Sequence, residues 1–203
     1  MTADLRPQLA RPHVAPAGVD LSAAARAGHE FLAALGVPTD TLDGGDAGWQ
    51  LAHAYGTVLV TAPPAPTVQR WPNQDLMVLP AVSVWSLCPE HLLPISGRAD
   101  VGYLPRGLVI PPPMLAEALR YLAAPPQPVS RLAGQLADWV QAAVRPAGCG
   151  VTVRLDHTCP SDTDPPGTQP NVTSTALRGL LRDDRSIRTE FLTLTSTSTT
   201  QDG

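Results

Sequence analysis

Near the middle of the chain the sequence reads VWSLCPEHLLP at residues 84–94, an apolar run that ends in a C-x-x-H turn. Cys88 and His91 carry side chains that bind divalent transition metals, and this spacing brings both to one ion. A third candidate ligand is Cys159, in the segment HTC at residues 157–159. Three nitrogen and sulfur ligands leave one position open on a tetrahedral zinc ion, as in catalytic zinc sites. The pattern therefore favours a zinc site that activates water over a closed structural site.

The composition argues against several classes of partner. The chain has 203 residues, 43% of them hydrophobic, which is enough for one domain with a core. Its net charge of −4 argues against nucleic acid and anionic membranes as main partners. We see no apolar run of transmembrane length and no signal-peptide core. Three cysteines, two of them spaced as ligands, are typical of metal binding in a reducing cytoplasm rather than of disulfides. We therefore expect a cytoplasmic location.

Apolar periodicity predicts an α+β fold with an antiparallel sheet backed by helices on one face, preceded by N-terminal helices. Residues 1–19 are expected to be a disordered arm, 20–194 a single domain and 195–203 a flexible tail. Residues 62–72 are proline-rich and are predicted to be a loop. The predicted helices are 21–35, 46–60, 114–123, 129–144 and 184–192, and the predicted strands are 76–87 (interrupted near Pro80), 97–104, 151–155 and 172–181.

The stretch at 84–94 resembles the zinc segment of GTP cyclohydrolase I, whose usual run is Ser-x-Cys-Glu-His-His-x-x-Pro. GRADVGYLP at 97–105, HTC at 157–159, TSTALRGL at 173–180 and RTEFL at 188–192 also resemble that family. The resemblance covers about residues 20–194 and implies the tunnelling fold, in which hairpin pairs from several subunits close a barrel. It also implies a homo-oligomer, a toroidal decamer or another toroid, with active sites for a small-molecule substrate at subunit interfaces.

The resemblance assigns roles to the metal-site residues one by one. Cys88, His91 and Cys159 match the family's zinc ligands, and His157 matches one of its two catalytic histidines. The second catalytic histidine precedes the ligand histidine in the family, and here that position is Glu90. The chain therefore keeps the predicted zinc site but changes one acid–base group beside it.

The positions that the resemblance assigns to the substrate depart from the family further. Family cations that hold the triphosphate, and the Gln-Glu pair that recognises guanine, are replaced by uncharged, acidic or small residues in this chain. These replacements are Gln50, His53, Met114, Glu117 and Thr163 at the phosphate positions, and Val129 and Ser130 at the guanine positions. Coordinated losses of this kind, with the zinc ligands kept, predict a substrate other than GTP.

The sequence therefore predicts a zinc-dependent hydrolase in which zinc-activated water attacks a C=N, formamide or amide-like carbon of a non-triphosphate substrate, in specialised metabolism. Glu90 is the predicted general base and His157 the predicted general acid. Arg98, Arg131 and Arg154 are candidates for holding a substrate carboxylate. Two alternatives stay open: a genuine GTP cyclohydrolase I, which makes 7,8-dihydroneopterin triphosphate and formate, and a non-catalytic subunit whose zinc Glu90 closes as a fourth ligand.

Overall fold

The computed structural model describes residues 19–38, 46–59, 62–157, 159 and 171–196. The predicted N-terminal arm (apart from residue 19), position 163 and the tail beyond Ser196 lie outside the described residues. The chain divides into two compact units, residues 1–56 and 57–203. In the described part of the chain, no helix combines the length and apolarity needed to cross a bilayer.

Two helices account for the described part of the first unit, α1 (Leu21–Ala34) and α2 (Ala47–Val58). Asp20 caps α1 by accepting a hydrogen bond from the backbone N–H of Ala23 at 2.9 Å, as the sequence predicts. The two helices approach closely at Gly48, where a Cβ would collide with the carbonyl oxygen of Ala25. The second helix ends at Val58, two residues before its predicted end.

The second unit is built on a four-stranded antiparallel sheet with strand order β2-β3-β5-β6. Residues 62–72 were predicted to be a loop, but Gln69–Arg70 form a two-residue strand that pairs with Leu108–Val109. The strands are β1 (Gln69–Arg70), β2 (Met77–Leu87), β3 (Pro94–Leu104), β4 (Leu108–Val109), β5 (Gly148–Asp156) and β6 (Val172–Gly179), and the helices are α3 (Pro112–Ala123), α4 (Val129–Val144), α5 (Leu180–Asp183) and α6 (Arg185–Ser196). The predicted α+β class and antiparallel sheet are confirmed.

Helices α3 and α4 cover one face of the sheet and form the core with it. Every second residue of β5 points to this face, and Cys149, Val151 and Val153 are fully buried there. On β3, Tyr103 is also fully buried, and its hydroxyl accepts a hydrogen bond from the backbone N–H of Ile110 at 3.0 Å. Because side chains alternate along a β-strand, the residues between these buried ones point to the opposite face of the sheet.

A bulge interrupts β2 between Leu79 and Val82, at the predicted break near Pro80. Proline has no backbone N–H for the ladder, and Ala81 adopts a positive φ of 57°. The N–H of Ala81 donates instead to the buried carboxylate of Asp100 at 2.8 Å. Asp100 also forms an ion pair with Arg154 of the neighbouring β5 strand. The bulge is therefore stabilised by a buried carboxylate and its partly exposed arginine partner, on the face that α3 and α4 do not cover.

Helix α6 lies on that second face of the sheet, an arrangement that the sequence did not predict. Gly102 of β3 and Gly150 of β5 are directly paired, and the ring of Phe191 lies where their side chains would be. The helix also continues past residue 194, the predicted end of the domain. Thr195 is buried, and its carbonyl accepts a hydrogen bond from Arg154 at 3.3 Å. These contacts explain why Thr195 and Ser196 belong to the helix rather than to the predicted tail.

Candidate metal centre

The loop between β2 and β3 is a tight turn that brings His91 back to Cys88. The hairpin's last paired residues are Leu87 and Pro94. Inside the loop, the N–H of Cys88 donates to the carbonyl of Leu93 and the N–H of Leu92 donates to the carbonyl of Cys88, both at 2.9 Å. Leu92 takes a positive φ of 57° to close this turn. As a result, the Nδ1 atom of His91 lies 3.6 Å from the Sγ atom of Cys88.

Cys159 reaches the same point from the far end of β5. That strand pairs with β3 as far as Ser96 and Asp156, so its end lies beside the β2–β3 hairpin loop. The Sγ atom of Cys159 is 3.6 Å from that of Cys88. The donor atoms of Cys88, His91 and Cys159 all lie within 4.8 Å of one another. The structure thus brings together the three predicted ligands from two distant segments.

This donor set fits a tetrahedral zinc ion. Zinc–sulfur bonds of about 2.3 Å and zinc–nitrogen bonds of about 2.0 Å at tetrahedral angles place neighbouring donors roughly 3.5–3.8 Å apart. The separations from Cys88 Sγ to His91 Nδ1 and to Cys159 Sγ are both 3.6 Å. The two thiols are buried with 2% exposure, whereas His91 is exposed. The site is therefore anchored in the core on its sulfur side and reachable from solvent on its imidazole side.

The surroundings of Cys88 favour its thiolate form, which is the form that binds metal. Burial alone raises the pKa of the Cys88 thiol. Hydrogen bonds from the backbone N–H groups of His91 and Glu90 and from the side chains of His91 and Cys159 outweigh burial and lower this pKa to about 7. Burial and the neighbouring sulfur of Cys88 raise the pKa of Cys159. The Cys88 thiol is therefore partly ionised at neutral pH, and the Cys159 thiol loses its proton more readily once a cation is bound.

The two predicted acid–base residues lie beside the donors but outside the group of three. His157 is half-buried, and its Nδ1 atom lies 3.7 Å from Cys159 Sγ. It follows the last residue of β5, Asp156, rather than lying within the strand. Glu90 is exposed, and its negative charge contributes to raising the pKa of Cys159. The structure thus places both near the site, while their chemical roles stay predictions.

The remaining predicted substrate residues are scattered over several elements. Met114 and Glu117 lie on α3, and Val129, Ser130 and Arg131 lie in the first turn of α4. Gln50 and His53 lie on α2, in the first unit. Arg98 and Arg154 lie in a polar groove on the sheet face that α3 and α4 leave open. Sequence reasoning missed this groove, because Arg98 and Arg154 share a face only through the register that pairs β3 with β5.

Cys149 serves as an internal reference for the reactivity of the candidate ligands. It is fully buried against α4, and burial raises its pKa to about 11. At pH 8, after a chelator has removed bound metal, we expect iodoacetamide to label Cys88 at least about tenfold faster than Cys149, because the thiolate is the reactive form. Peptide mass spectrometry at timed intervals measures both rates. Equal labelling of the two residues in the folded protein would contradict the assignment.

Comparison with known proteins gives the family of the chain. A protein-family model described as GTP cyclohydrolase I matches residues 48–196. GTP cyclohydrolase 1 of Methylococcus capsulatus is 36% identical over 122 residues, covering 60% of this chain and 66% of that protein. The human GTP cyclohydrolase 1 is 30% identical over 122 residues, covering 60% of this chain and 49% of its own length.

The chain thus spans just under two thirds of the length of its bacterial relative and about half of the human one. Among solved structures, the apo form of the archaeosine synthase QueF-Like matches with a TM-score of 0.40 and 24% identity, covering 53% of this chain and 96% of that one. The family model alone covers most of the chain, including two of the three candidate metal ligands in the β2–β3 loop and the third after β5. On this ground, the chain belongs to the GTP cyclohydrolase I family.

Proposed function

We propose that this protein is a zinc-dependent hydrolase that acts on a carbon–nitrogen bond of a small molecule other than a nucleoside triphosphate. The observation that carries this proposal is the donor group of Cys88, His91 and Cys159, whose two spacings from Cys88 Sγ suit tetrahedral zinc. The imidazole side of this group faces solvent, which leaves a route for a water molecule and a substrate. A zinc ion held there would lower the pKa of a water molecule in its open position to about 7.

Glu90 and His157 supply the proton transfers in this proposal. Glu90 follows Cys88 by two residues in the exposed hairpin loop, so its carboxylate can accept a proton from a water molecule in front of the donors. His157 directs Nδ1 toward Cys159 Sγ at 3.7 Å. A hydrogen bond from Nδ1–H to the sulfur leaves Nε2 as the atom that exchanges protons. The oxygen of that water forms a bond to the substrate carbon. When His157 is protonated, Nε2 donates its proton to the leaving nitrogen as the C–N bond breaks, so the products are an amine and a carboxylate, which is formate in the case of a formamide.

The residues at the positions where the family binds phosphate lack positive charge, which supports a substrate without a triphosphate. Each hydrogen bond to a charged group contributes roughly 1.5–3 kcal/mol, so several missing cations weaken triphosphate binding by several kcal/mol. Glu117 is an exposed carboxylate on α3 and would repel phosphate, and Met114 of the same helix offers no charge. We therefore propose a formamide, amide or ring C=N substrate with little negative charge.

The second candidate function is GTP hydrolysis to 7,8-dihydroneopterin triphosphate and formate. The observation that favours it is the name shared by the curated relatives, GTP cyclohydrolase 1, including one that is 37% identical from Thermoanaerobacter pseudethanolicus. The deciding experiment incubates the zinc-loaded protein with GTP and measures formate and pterin fluorescence. Our proposal predicts no formate above that of a metal-free control. Sustained turnover of GTP would instead establish the second function.

Replacing Glu90 tests its role as a base against a role as fourth ligand. We expect Glu90→Gln to keep one zinc per subunit and to lower turnover about 10²–10⁴-fold, because the amide cannot accept the proton of water. The assay is release of amine or formate from a panel of formamides and purine compounds that lack a triphosphate, with zinc measured by mass spectrometry. Glu190→Gln, an exposed carboxylate on α6, is the matched control. Loss of zinc from Glu90→Gln would support the structural-subunit alternative.

We also propose that the protein assembles as a cytoplasmic homo-oligomer. The support is its family membership together with two strands, β2 and β6, at the edges of the four-stranded sheet. An edge strand presents backbone groups that can pair with another chain. Light scattering coupled to size-exclusion chromatography tests this proposal, and a mass equal to one chain across micromolar concentrations would refute it.

A further inference from the structure

A polar groove lies on the sheet face that α3 and α4 leave uncovered. Its volume is about 780 Å³, and it is lined mainly by alternate residues of β2, β3 and β5 and by the start of β6. At the other end of the same face, Phe191 of α6 covers Gly102 and Gly150. None of the three candidate metal ligands lines the groove. The groove is therefore a second candidate site, and it is separate from the donor group of Cys88, His91 and Cys159.

One row of directly paired residues crosses the groove from strand to strand. Arg98 pairs with Ser83 on one side and with Arg154 on the other, and Arg154 pairs with Thr173. Directly opposed residues on a sheet have Cβ atoms about 4.5–5.5 Å apart, and like charges in such a pair destabilise the sheet. The two guanidinium groups of Arg98 and Arg154 therefore start from adjacent strands on the same face. The carboxylates of Asp100 and Asp156 also line the groove, and Asp100 offsets the charge of Arg154 through their ion pair, so a bound anion would lie on the Arg98 side.

Arg154 is held in place by contacts with two other residues. Arg154 forms an ion pair with Asp100, which is 1% exposed, and donates to the carbonyl of Thr195 at 3.3 Å. These contacts fix its guanidinium at the floor of the groove. Arg98 is exposed on the neighbouring strand and also lines the groove. The groove thus presents two neighbouring guanidinium groups, whose planar donor geometry suits a carboxylate or a phosphate.

An exposed tryptophan forms the neighbouring wall of the groove. Trp85 is 58% exposed, although the residues before and after it, Val84 and Ser86, are buried. It pairs with Ser96, so it lies one row away from Arg98 on the same face. Indole rings that stay exposed in a concave site are typical of binding surfaces, where they stack on flat ligands. The groove therefore offers a stacking surface beside a cation.

We propose that this groove binds a small planar aromatic molecule that carries a carboxylate or a phosphate. The ring stacks on Trp85, and the anion is held by Arg98 above the fixed guanidinium of Arg154. The hydroxyl groups of Ser83 and Thr173 flank the two arginines and donate to the anion. Binding at this groove is independent of the metal centre and therefore does not rest on the function proposed above.

The test is calorimetric titration of the zinc-loaded, full-length protein with four probes. Adenosine 5′-monophosphate and benzoate carry both a ring and an anion, whereas adenosine lacks the anion and inorganic phosphate lacks the ring. We expect at least one of the first two to bind with a Kd below about 1 mM, and both single-feature probes to bind at least tenfold more weakly. Stronger binding of the nucleotide assigns the groove to phosphates, and stronger binding of benzoate assigns it to carboxylates.

Single substitutions test whether the probes bind in the groove. Arg98→Gln and Trp85→Leu should each weaken the tighter probe at least about tenfold, and His91→Ala should bind it like the wild type. Arg106→Gln and Trp71→Leu remove exposed residues outside the groove and are the matched controls. Circular dichroism checks folding, and Trp85→Phe replaces Trp85→Leu if the latter unfolds.

Either of two results would overturn the proposal. One is the absence of saturable binding of both ring-bearing anions. The other is unchanged affinity in Arg98→Gln together with the folded Trp85 variant. If no probe binds and the Trp85 variant changes the mass of the assembly, the groove is a contact between copies of the chain rather than a ligand site.

Discussion

His91→Ala is expected to abolish stoichiometric zinc binding while leaving the protein folded. His91 is the only exposed member of the donor group Cys88, His91 and Cys159, so its loss removes a ligand without opening a cavity in the core. Replacing residues that merely orient a ligand weakens metal affinity about 10–100-fold, and removal of the ligand itself should exceed that range. Inductively coupled plasma mass spectrometry after dialysis against a weak chelator measures the zinc that remains.

Two controls distinguish the loss of a zinc ligand from a general loss of folded structure. His29→Ala removes another exposed histidine, on α1, and should retain zinc like the wild type. Cobalt substitution of the wild-type protein should give the visible absorption of a tetrahedral thiolate site, and His91→Ala should lose it. Full zinc occupancy in His91→Ala would mean that the ion is held by another set of ligands. The hydrolase proposal would then lose the observation on which it stands.

The metal site could be predicted from sequence because local spacing encodes most of it. The C-x-x-H spacing needs one tight turn, and the structure supplies that turn through the two backbone hydrogen bonds between Cys88 and the pair Leu92 and Leu93. The third ligand, Cys159, is distant in sequence: its residue type made it a candidate, and the resemblance to a family assigned it to the same site. Helix α4 was predicted with its observed bounds because its apolar residues follow the helical period without interruption.

The second face of the sheet could not be predicted in the same way. The contact of Phe191 with two glycines depends on the register that pairs Gly102 with Gly150 across β3 and β5. Periodicity within one segment carries no information about register between segments. The same limit applies to the groove, because Arg98 and Arg154 become neighbours only through that register. The α+β fold was thus predicted as a set of elements, while the contacts on the second face of its sheet required the structure.

Phe191→Ala is expected to lower the free energy of unfolding by about 3–5 kcal/mol. Phe191 is fully buried, and its ring fills the space left by two facing strand glycines. The adjacent Leu192 is 41% exposed on the same helix, so Leu192→Ala should change stability by less than about 1 kcal/mol and is the matched control. Urea unfolding at one fixed protein concentration measures both variants, since any assembly makes stability depend on concentration.

A double-mutant cycle with Gly102→Ala shows whether the ring and the glycine act together. A Cβ at position 102 would lie 2.6 Å from Cδ2 of Phe191, so Gly102→Ala alone should destabilise the protein by about 1–3 kcal/mol. In the Phe191→Ala background the same methyl group enters the vacated space, and its cost should fall by at least about 0.5 kcal/mol or change sign. Strictly additive effects would show that α6 does not pack on this glycine pair. The C-terminal helix would then contribute to stability through other contacts, including the hydrogen bond from Arg154 to Thr195.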